Sequence, residues 1–510
     1  MATIVTSIGL KGLEGYRVFV EVQLIPGMSG ARIVGLPEAS VKEAKDRVLT
    51  ALYANNCLVH NKKIVINLSP AEQRKNSPVF DLAIAIGVMK EMGAIRHPIP
   101  EGAAFLGLLS LDGKINSVDG MLPAVIAAKK EEIKILYLPE MDDLPLQFIE
   151  GIELRFVETL QQVIESFSGQ LTGIPTLLPS NITPAEDITP TYEKDFSHVL
   201  GHKKAKRALE IAAGGHNLLM IGPPGCGKSL LAETFSSILP TLKPDRRIEV
   251  MSIYQLAGVE KENFFTPPFR EPHHSSSAVS LVGGGSNPKP GEVSLAHRGV
   301  LFLDEMAEFP KKTLDMLRQP MESGFVTISR AASTVTYPSQ FLMLGAMNPC
   351  PCGYLGSKYY YCTCTPKQIT AYNNRVSGPI KDRMDILLNL EVVSLERGSS
   401  ETNETSKEIH ERVIAAREKQ FKRYGAEITN AIVADKKLLA CSKLNDRQEK
   451  MMQEWTGKFN WSTRVQMKIL RMARTISDLE GKERITNKAI WEAVTMRQFS
   501  KERRQLGVVK

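Results

Sequence analysis

The chain has 510 residues, 43% of them hydrophobic and 24% charged, a globular balance that excludes a disordered, collagen-like or coiled-coil protein and predicts about three domains. Lys and Arg number 64 against 56 Asp and Glu, a net charge of +8 that permits contact with polyanions without requiring it. From Glu396 to Lys510 there are 25 basic and 16 acidic side chains, so the excess sits in the last quarter, a count that a well-solvated helical surface would also give.

Residues Met1 to Leu10 lack the basic and apolar stretches of a signal peptide, and the longest apolar candidate, Leu82 to Met89, is far too short to span a bilayer. A cytoplasmic protein is expected. Residues 1–168 alternate strand-like stretches (Tyr16 to Gln23, Lys63 to Leu68) with helical ones (Val41 to Ala51, Asp81 to Met92), the pattern of an α+β domain. Residues 169–194 hold Pro175, Pro179, Pro184 and Pro190 among Thr, Ser and Gly, and read as a linker. Residues 195–394 read as an α/β module with glycine-rich loops, and 395–510 as almost entirely helical.

The apolar run Asn217 to Ile221 leads into Gly222-Pro223-Pro224-Gly225-Cys226-Gly227-Lys228-Ser229, and helical spacing resumes at Leu230. Strand, G-x-x-x-x-G-K-S and helix together are the context of a phosphate-binding loop. Glycines let backbone N–H groups approach phosphates, Lys228 adds a point charge for the β- and γ-phosphates, and Ser229 offers a hydroxyl to Mg²⁺. Gly299 to Leu303, ending in Asp304 and Glu305, supplies the acids that such a site needs. Asp304 is expected to hold Mg²⁺ through water, and Glu305 to polarise the attacking water.

Two β-rich runs, Phe325 to Ser329 and Ser333 to Tyr337, flank a short connection and predict a hairpin with Arg330 near its tip. The chain has seven cysteines, and the odd total argues against a disulfide framework. Cys350, Cys352, Cys362 and Cys364 form two C-x-C pairs in a Gly-rich loop, which fits either a closed Zn²⁺ site or free thiols, because the pairs are tighter than the common knuckle spacing.

These stretches, with Arg207 to His216, Pro272-His-His-Ser, Pro290 to His297, Asn348-Pro-Cys-Pro-Cys-Gly and Ser377 to Asp385, carry a resemblance over nearly the whole chain. It resembles the ComM/YifB family of Mg-chelatase-like AAA+ ATPases, linked to DNA uptake and branch migration. The resemblance implies a multidomain α/β protein with a Lon-protease-like α+β domain, a central AAA+ P-loop module of αβα layers and a helical lid. It makes Asn348 a polar sensor that places water, Arg383 an arginine finger for a neighbour's ATP and Arg464 a sensor-2 arginine pointing at nucleotide. Val199 and Leu200 are where this group packs adenine, although His202 stands where Gln is more usual. An insert before Asp304 is implied to project toward a ring pore, and the Arg330 hairpin resembles the pre-sensor hairpin of replicative helicases. Lys289 and Arg330 are then the pore candidates for gripping phosphates, with Lys468 and Arg471 of the lid as further DNA contacts.

Through Lys75 to Ala83, Gly107 to Ile115 and Asp119 to Ala128, residues 1–168 resemble the Lon-protease-like domain, and Val79 and Ala124 stand where an active protease holds its Ser and Lys, which implies a non-proteolytic domain; only a shift of register would bring in Ser69 or Ser77. The implied protein is a ring, most simply a hexamer, that uses ATP and Mg²⁺ to move on forked or branched DNA without reading sequence. The rivals are a MoxR-like protein-remodelling ATPase and a motor that inserts metal into a porphyrin. Porphyrin motors normally work with a partner carrying an Asp-x-Ser-x-Ser metal site, a segment this sequence does not contain.

Overall fold

The computed structural model describes residues 2–59, 61–75, 77–141, 149, 151–168, 176–177, 192–285, 288–330, 334–357, 360–392 and 404–497. The N-terminal domain is built on an eight-stranded mixed sheet. Thr3–Lys11 and Glu14–Pro26 form an antiparallel hairpin, extended on one side by Lys62–Ser69 and on the other by the parallel strands Ala103–Phe105, Ile135–Leu138 and Glu153–Phe156. The apolar run Leu82 to Met89 lies in the helix Asp81–Glu91, which is buried from Asp81 to Met89. It is a core helix: Gly87 has no side chain because an ideal Cβ there would lie 2.7 Å from Val22 Cγ2. Within the stretch expected to be a linker, Thr176–Leu177 pairs antiparallel with Glu153–Phe156, so the sheet draws a strand from beyond residue 168. The rest of that linker up to residue 191 lies outside the described residues.

The second sheet has five parallel strands in the order Phe269–Arg270, Val300–Leu303, Leu342–Met347, Leu218–Ile221, Ile386–Asn389. Buried on both faces, its central strands read as continuous apolar runs rather than alternating ones. Their C-terminal ends carry the phosphate-binding loop, Asp304–Glu305 and Asn348 along one edge, where α/β sheets place ligands.

The helix Pro244–Ala257 connects this module to the N-terminal domain. Gln255 Oε1 accepts the backbone N–H of Leu122 at 2.9 Å. Glu249, on the same helix, meets His297 at 3.3 Å and Arg298 at 2.9 Å, just before the strand that bears Asp304. Burial raises the Glu249 carboxyl, but His297 and the Arg298 and Arg246 guanidiniums outweigh that and bring it to about 2.

The C-terminal helices Ser406–Tyr424, Asp435–Cys441, Asp446–Phe459, Thr463–Leu479 and Asn487–Arg497 share one apolar core with the P-loop module. His216, fully buried, bridges the two, meeting Thr475 Oγ1 at 2.8 Å and Asp385 Oδ2 at 3.4 Å. Among these C-terminal helices, the buried carboxylate of Asp478 receives Arg423 at 2.5 and 2.9 Å, Arg474 at 2.9 Å and Asn430 at 2.9 Å. Asp478→Ala strands the buried Arg474 and the half-buried Arg423 and is expected to cost about 3–5 kcal/mol, read as a fall in the midpoint of thermal or urea unfolding. A variant as stable as the parent would remove this network from the support of the C-terminal helices.

Candidate nucleotide site

The loop Gly222 to Ser229 turns through Gly225 and Gly227, whose φ angles of 74° and 81° no side chain adopts cheaply. Gly222 is pressed against its surroundings, since a Cβ there would lie 2.7 Å from Cys226 Sγ and 2.9 Å from Leu390 Cβ. Cys226 is therefore a buried packing residue of the loop, with burial raising its thiol above the ordinary range. Lys228 opens the helix Lys228–Thr234, and its ammonium donates to the carbonyls of Gly222 (2.8 Å) and Pro223 (3.0 Å) and to Asn348 Oδ1 (3.2 Å). The Ser229 hydroxyl donates to Asp304 Oδ2 at 2.9 Å, and the Glu305 N–H donates to Asp304 Oδ1 at 2.8 Å. The structure thus brings Lys228, Ser229, Asp304 and Asn348 together from three adjacent strand ends.

Glu305 has left-handed backbone (φ 47°), which turns its carboxylate away from the strand, with one oxygen 3.5 Å from His274 Nδ1. Glu271, three residues before His274, feels the same acidic ground: burial first, then Asp304 and Glu233, raise its carboxyl above the ordinary value. Neither Glu271 nor His274 has a role in the sequence reading. The signal available was Pro272-His-His-Ser, a polar run close behind the edge strand Phe269–Arg270.

The two residues expected to pack adenine part company. Val199 is buried in the core, whereas Leu200 is 54% exposed. His202, in left-handed backbone at φ 52°, lies against the loop, with Nε2 3.8 Å from where a Cβ on Gly227 would be. Burial and then Lys206 lower its pKa, which favours the neutral ring.

Arg383 and Arg464 converge on one residue. Arg383 donates to Glu322 Oε2 at 2.6 Å and Arg464 approaches Glu322 Oε1 at 3.3 Å, with Asp382 3.4 Å from Arg464. The sequence reading placed Arg464 at the nucleotide without Arg383; the structure sets the two guanidiniums side by side. Arg383 Nε is buried and without a hydrogen-bond partner among the described residues.

The cationic candidates for a polyanion divide into two sets. Arg330 is exposed at the end of Phe325–Ser329, which pairs with Thr334–Pro338, while the connection 331–333 lies outside the described residues. Gly284 pairs with exposed Lys289, and a Cβ on Gly284 would lie 3.6 Å from Arg330 Nη2, so Lys289 and Arg330 share one region. Tyr337 ties the two segments by donating to Pro288 O at 2.7 Å. Lys289 also faces Asp119 of the N-terminal domain at 3.7 Å. Lys468 and Arg471, expected as DNA contacts, each have partners within the chain. Lys468 meets Asp385 at 3.0 Å and donates to the Asp382 carbonyl, and Arg471 donates to Asp435 (2.5 Å) and to the carbonyls of Asn430 and Ala431. Burial raises the Asp385 carboxyl, but Lys468 and His216 overcome it and hold it well below the usual range. Both cations thus lie in ion pairs, with Asp385 and with Asp435.

Cys350, Cys352, Cys362 and Cys364 form no disulfide, and their four sulfurs all lie within 4.8 Å of one another. No helix among the described residues is long and apolar enough to cross a membrane.

Comparison with known proteins agrees with this architecture. Residues 195–397 match the family described as magnesium chelatase, subunit ChlI; residues 20–142 match subunit ChlI of Mg-chelatase, and 403–497 match its C-terminal part. The chain is 38% identical over 501 residues to competence protein ComM of Haemophilus influenzae, covering 97% of both chains. It is 36% identical to YifB of Escherichia coli over 96% of each. Similarity to the magnesium-chelatase 67 kDa subunit of Chlorobaculum tepidum is 26% over 159 residues, 30% of this chain and 23% of that one. With this identity along almost its full length and ChlI modules in all three regions, the chain belongs to the ComM/YifB family of magnesium-chelatase-like proteins.

Proposed function

We propose that this protein is a ring-forming AAA+ ATPase that couples ATP hydrolysis to movement on DNA, driving branch migration or unwinding of recombination intermediates during DNA uptake. The observation that carries the ATPase part is the meeting of Lys228, Ser229, Asp304 and Asn348 at the ends of three neighbouring strands. In that reading the loop N–H groups and Lys228 bind phosphates, and Ser229 and Asp304 hold Mg²⁺. Glu305 takes the proton of the attacking water, which Asn348 helps to place. Arg383 and Arg464, joined on Glu322, serve the nucleotide of a neighbouring subunit, which makes the active form an oligomer, most simply a hexamer, in the cytoplasm. The name of the Haemophilus relative supports the link to competence.

The DNA part rests on Lys289 and Arg330. The pair Lys289–Asp119 is exposed and worth little, so Lys289 exchanges Asp119 for phosphate readily. Binding is expected to fall steeply with salt and to depend little on base sequence. Arg330→Ala is expected to reduce the stimulation of hydrolysis by forked and four-way DNA. The measurement is salt-titrated DNA binding with ATP present, alongside ATPase on forked, linear and four-way DNA. Salt-independent binding, or none, would favour a protein-remodelling or metal-insertion role, which the ChlI modules also accommodate.

The N-terminal domain is read as a non-proteolytic Lon-like platform. Val79 and Ala124 are both buried apolar residues, and Ser77 Oγ is engaged as acceptor of the Val79 N–H. The four-cysteine cluster suits a structural Zn²⁺, all four positions being taken by protein sulfur.

A further inference from the structure

The cysteine cluster lies against the nucleotide site. Cys350 follows Asn348 by two residues, and Asn348 Oδ1 accepts the Lys228 ammonium. Between the cysteine pairs, Gly353 turns with φ 85°, and a Cβ there would lie 2.7 Å from Pro224 Cδ of the phosphate-binding loop and 3.9 Å from Asn348 Cγ. On the far side, Thr365 directly follows Cys364 and caps the helix Pro366–Asn373 with a full capping box. Two residues past that helix, Arg375 donates to Glu308 at 2.6 Å, three residues beyond Glu305. The knuckle therefore touches both the loop and the sensor strand and leads into the segment behind the acidic pair.

Little else holds it. Among the described residues from 350 to 365 only Cys350 and Gly353 are buried, while Leu355, Tyr360 and Tyr361 are 42%, 64% and 89% exposed. A loop without an apolar core needs a different anchor. Three sulfur separations, 3.4, 3.7 and 3.6 Å, approach the edge of about 3.8 Å that a tetrahedron of Zn–S bonds near 2.3 Å requires. The N–H groups of Cys352 and Leu355 point at Cys364 Sγ (3.4 Å) and Cys350 Sγ (3.3 Å), donors that suit thiolate ligands.

We propose that these four thiolates bind one Zn²⁺, and that the metal-held knuckle is a wall of the nucleotide site which sets its affinity through the contact of Gly353 with Pro224. The inference rests on the ATP-site reading above and adds a metal dependence to it. Loading exchanges four S–H bonds for four Zn–S bonds and releases four protons, with no change of oxidation state.

The test uses the full-length protein purified under reducing conditions. Metal analysis is expected to give one zinc per chain, and Co²⁺ exchange to give the visible absorption of a tetrahedral thiolate site. Titration with a fluorescent ATP analogue is expected to show affinity about 10-fold weaker after chelation or in Cys362→Ser, restored in the chelated protein by Zn²⁺. Gly353→Ala leaves all four cysteines in place, crowds Pro224 and strains the turn, and is expected to weaken nucleotide binding by a similar factor. No zinc as purified and none taken up would overturn the metal site. Stoichiometric metal with unchanged affinity in both chelated protein and Gly353→Ala would overturn the coupling. A loaded parent that binds no nucleotide would instead overturn the ATP-site reading, with its cobalt spectrum intact.

Discussion

Glu305→Gln is expected to bind ATP as the parent does and to hydrolyse it about 10²–10⁴-fold more slowly, the range that a general base contributes. The substitution keeps size and hydrogen bonding and removes only the ability to take a proton. Metal and phosphate binding should survive, because they depend on Ser229, Asp304 and Lys228, whose contacts do not pass through the Glu305 side chain. Lys228→Ala makes the contrast: it deletes the cation that now bonds Gly222 O, Pro223 O and Asn348 Oδ1, and is expected to lose nucleotide binding itself. Phosphate release at saturating ATP, beside titration with a nucleotide analogue, separates the two defects. Normal turnover by Glu305→Gln would remove Glu305 from the chemistry.

Arg383→Ala is expected to cut turnover by about 10³–10⁵-fold while leaving ATP affinity nearly unchanged, as for an arginine that neutralises charge only while the γ-phosphate departs. Mixing it with Lys228→Ala protein should recover part of the activity. At mixed interfaces an intact Arg383 from one subunit faces an intact loop of the other. Arg464 shares Glu322 with Arg383, so Arg464→Ala is expected to lower turnover in the same assay without adding fully to Arg383→Ala. Full activity of a monomeric species would refute the shared site.

The parts of the site legible in the sequence are those whose chemistry is local in the chain. The phosphate-binding loop, Asp304 with Glu305, and Asn348 each sit at the end of an apolar run, and such runs become parallel strands whose ends meet at one edge. Hairpin and helix positions were readable for the same reason. The pairing of distant charges was not. Glu322 lies 61 residues before Arg383 and 142 before Arg464, and no spacing rule links them. Lys468 and Arg471 were expected as DNA contacts in the basic last quarter, but a residue count carries no record of Asp385 and Asp435, which pair with them. His274 was visible as part of Pro272-His-His-Ser, yet its approach to Glu305 depends on the insert folding back on the sheet.

The helix Pro244–Ala257 works as a strut between two domains. One end grips the N-terminal domain through Gln255 and Leu122, and Glu249, two turns earlier, clamps His297 and Arg298 at the root of the strand that bears Asp304 and Glu305. Helices resist stretching because every turn is tied by hydrogen bonds. Tension applied to the N-terminal domain therefore arrives at the base of the acidic strand, and recoil of that strand travels outward along the same line. The N-terminal domain and the strand that bears Asp304 and Glu305 are thereby mechanically joined within a single subunit.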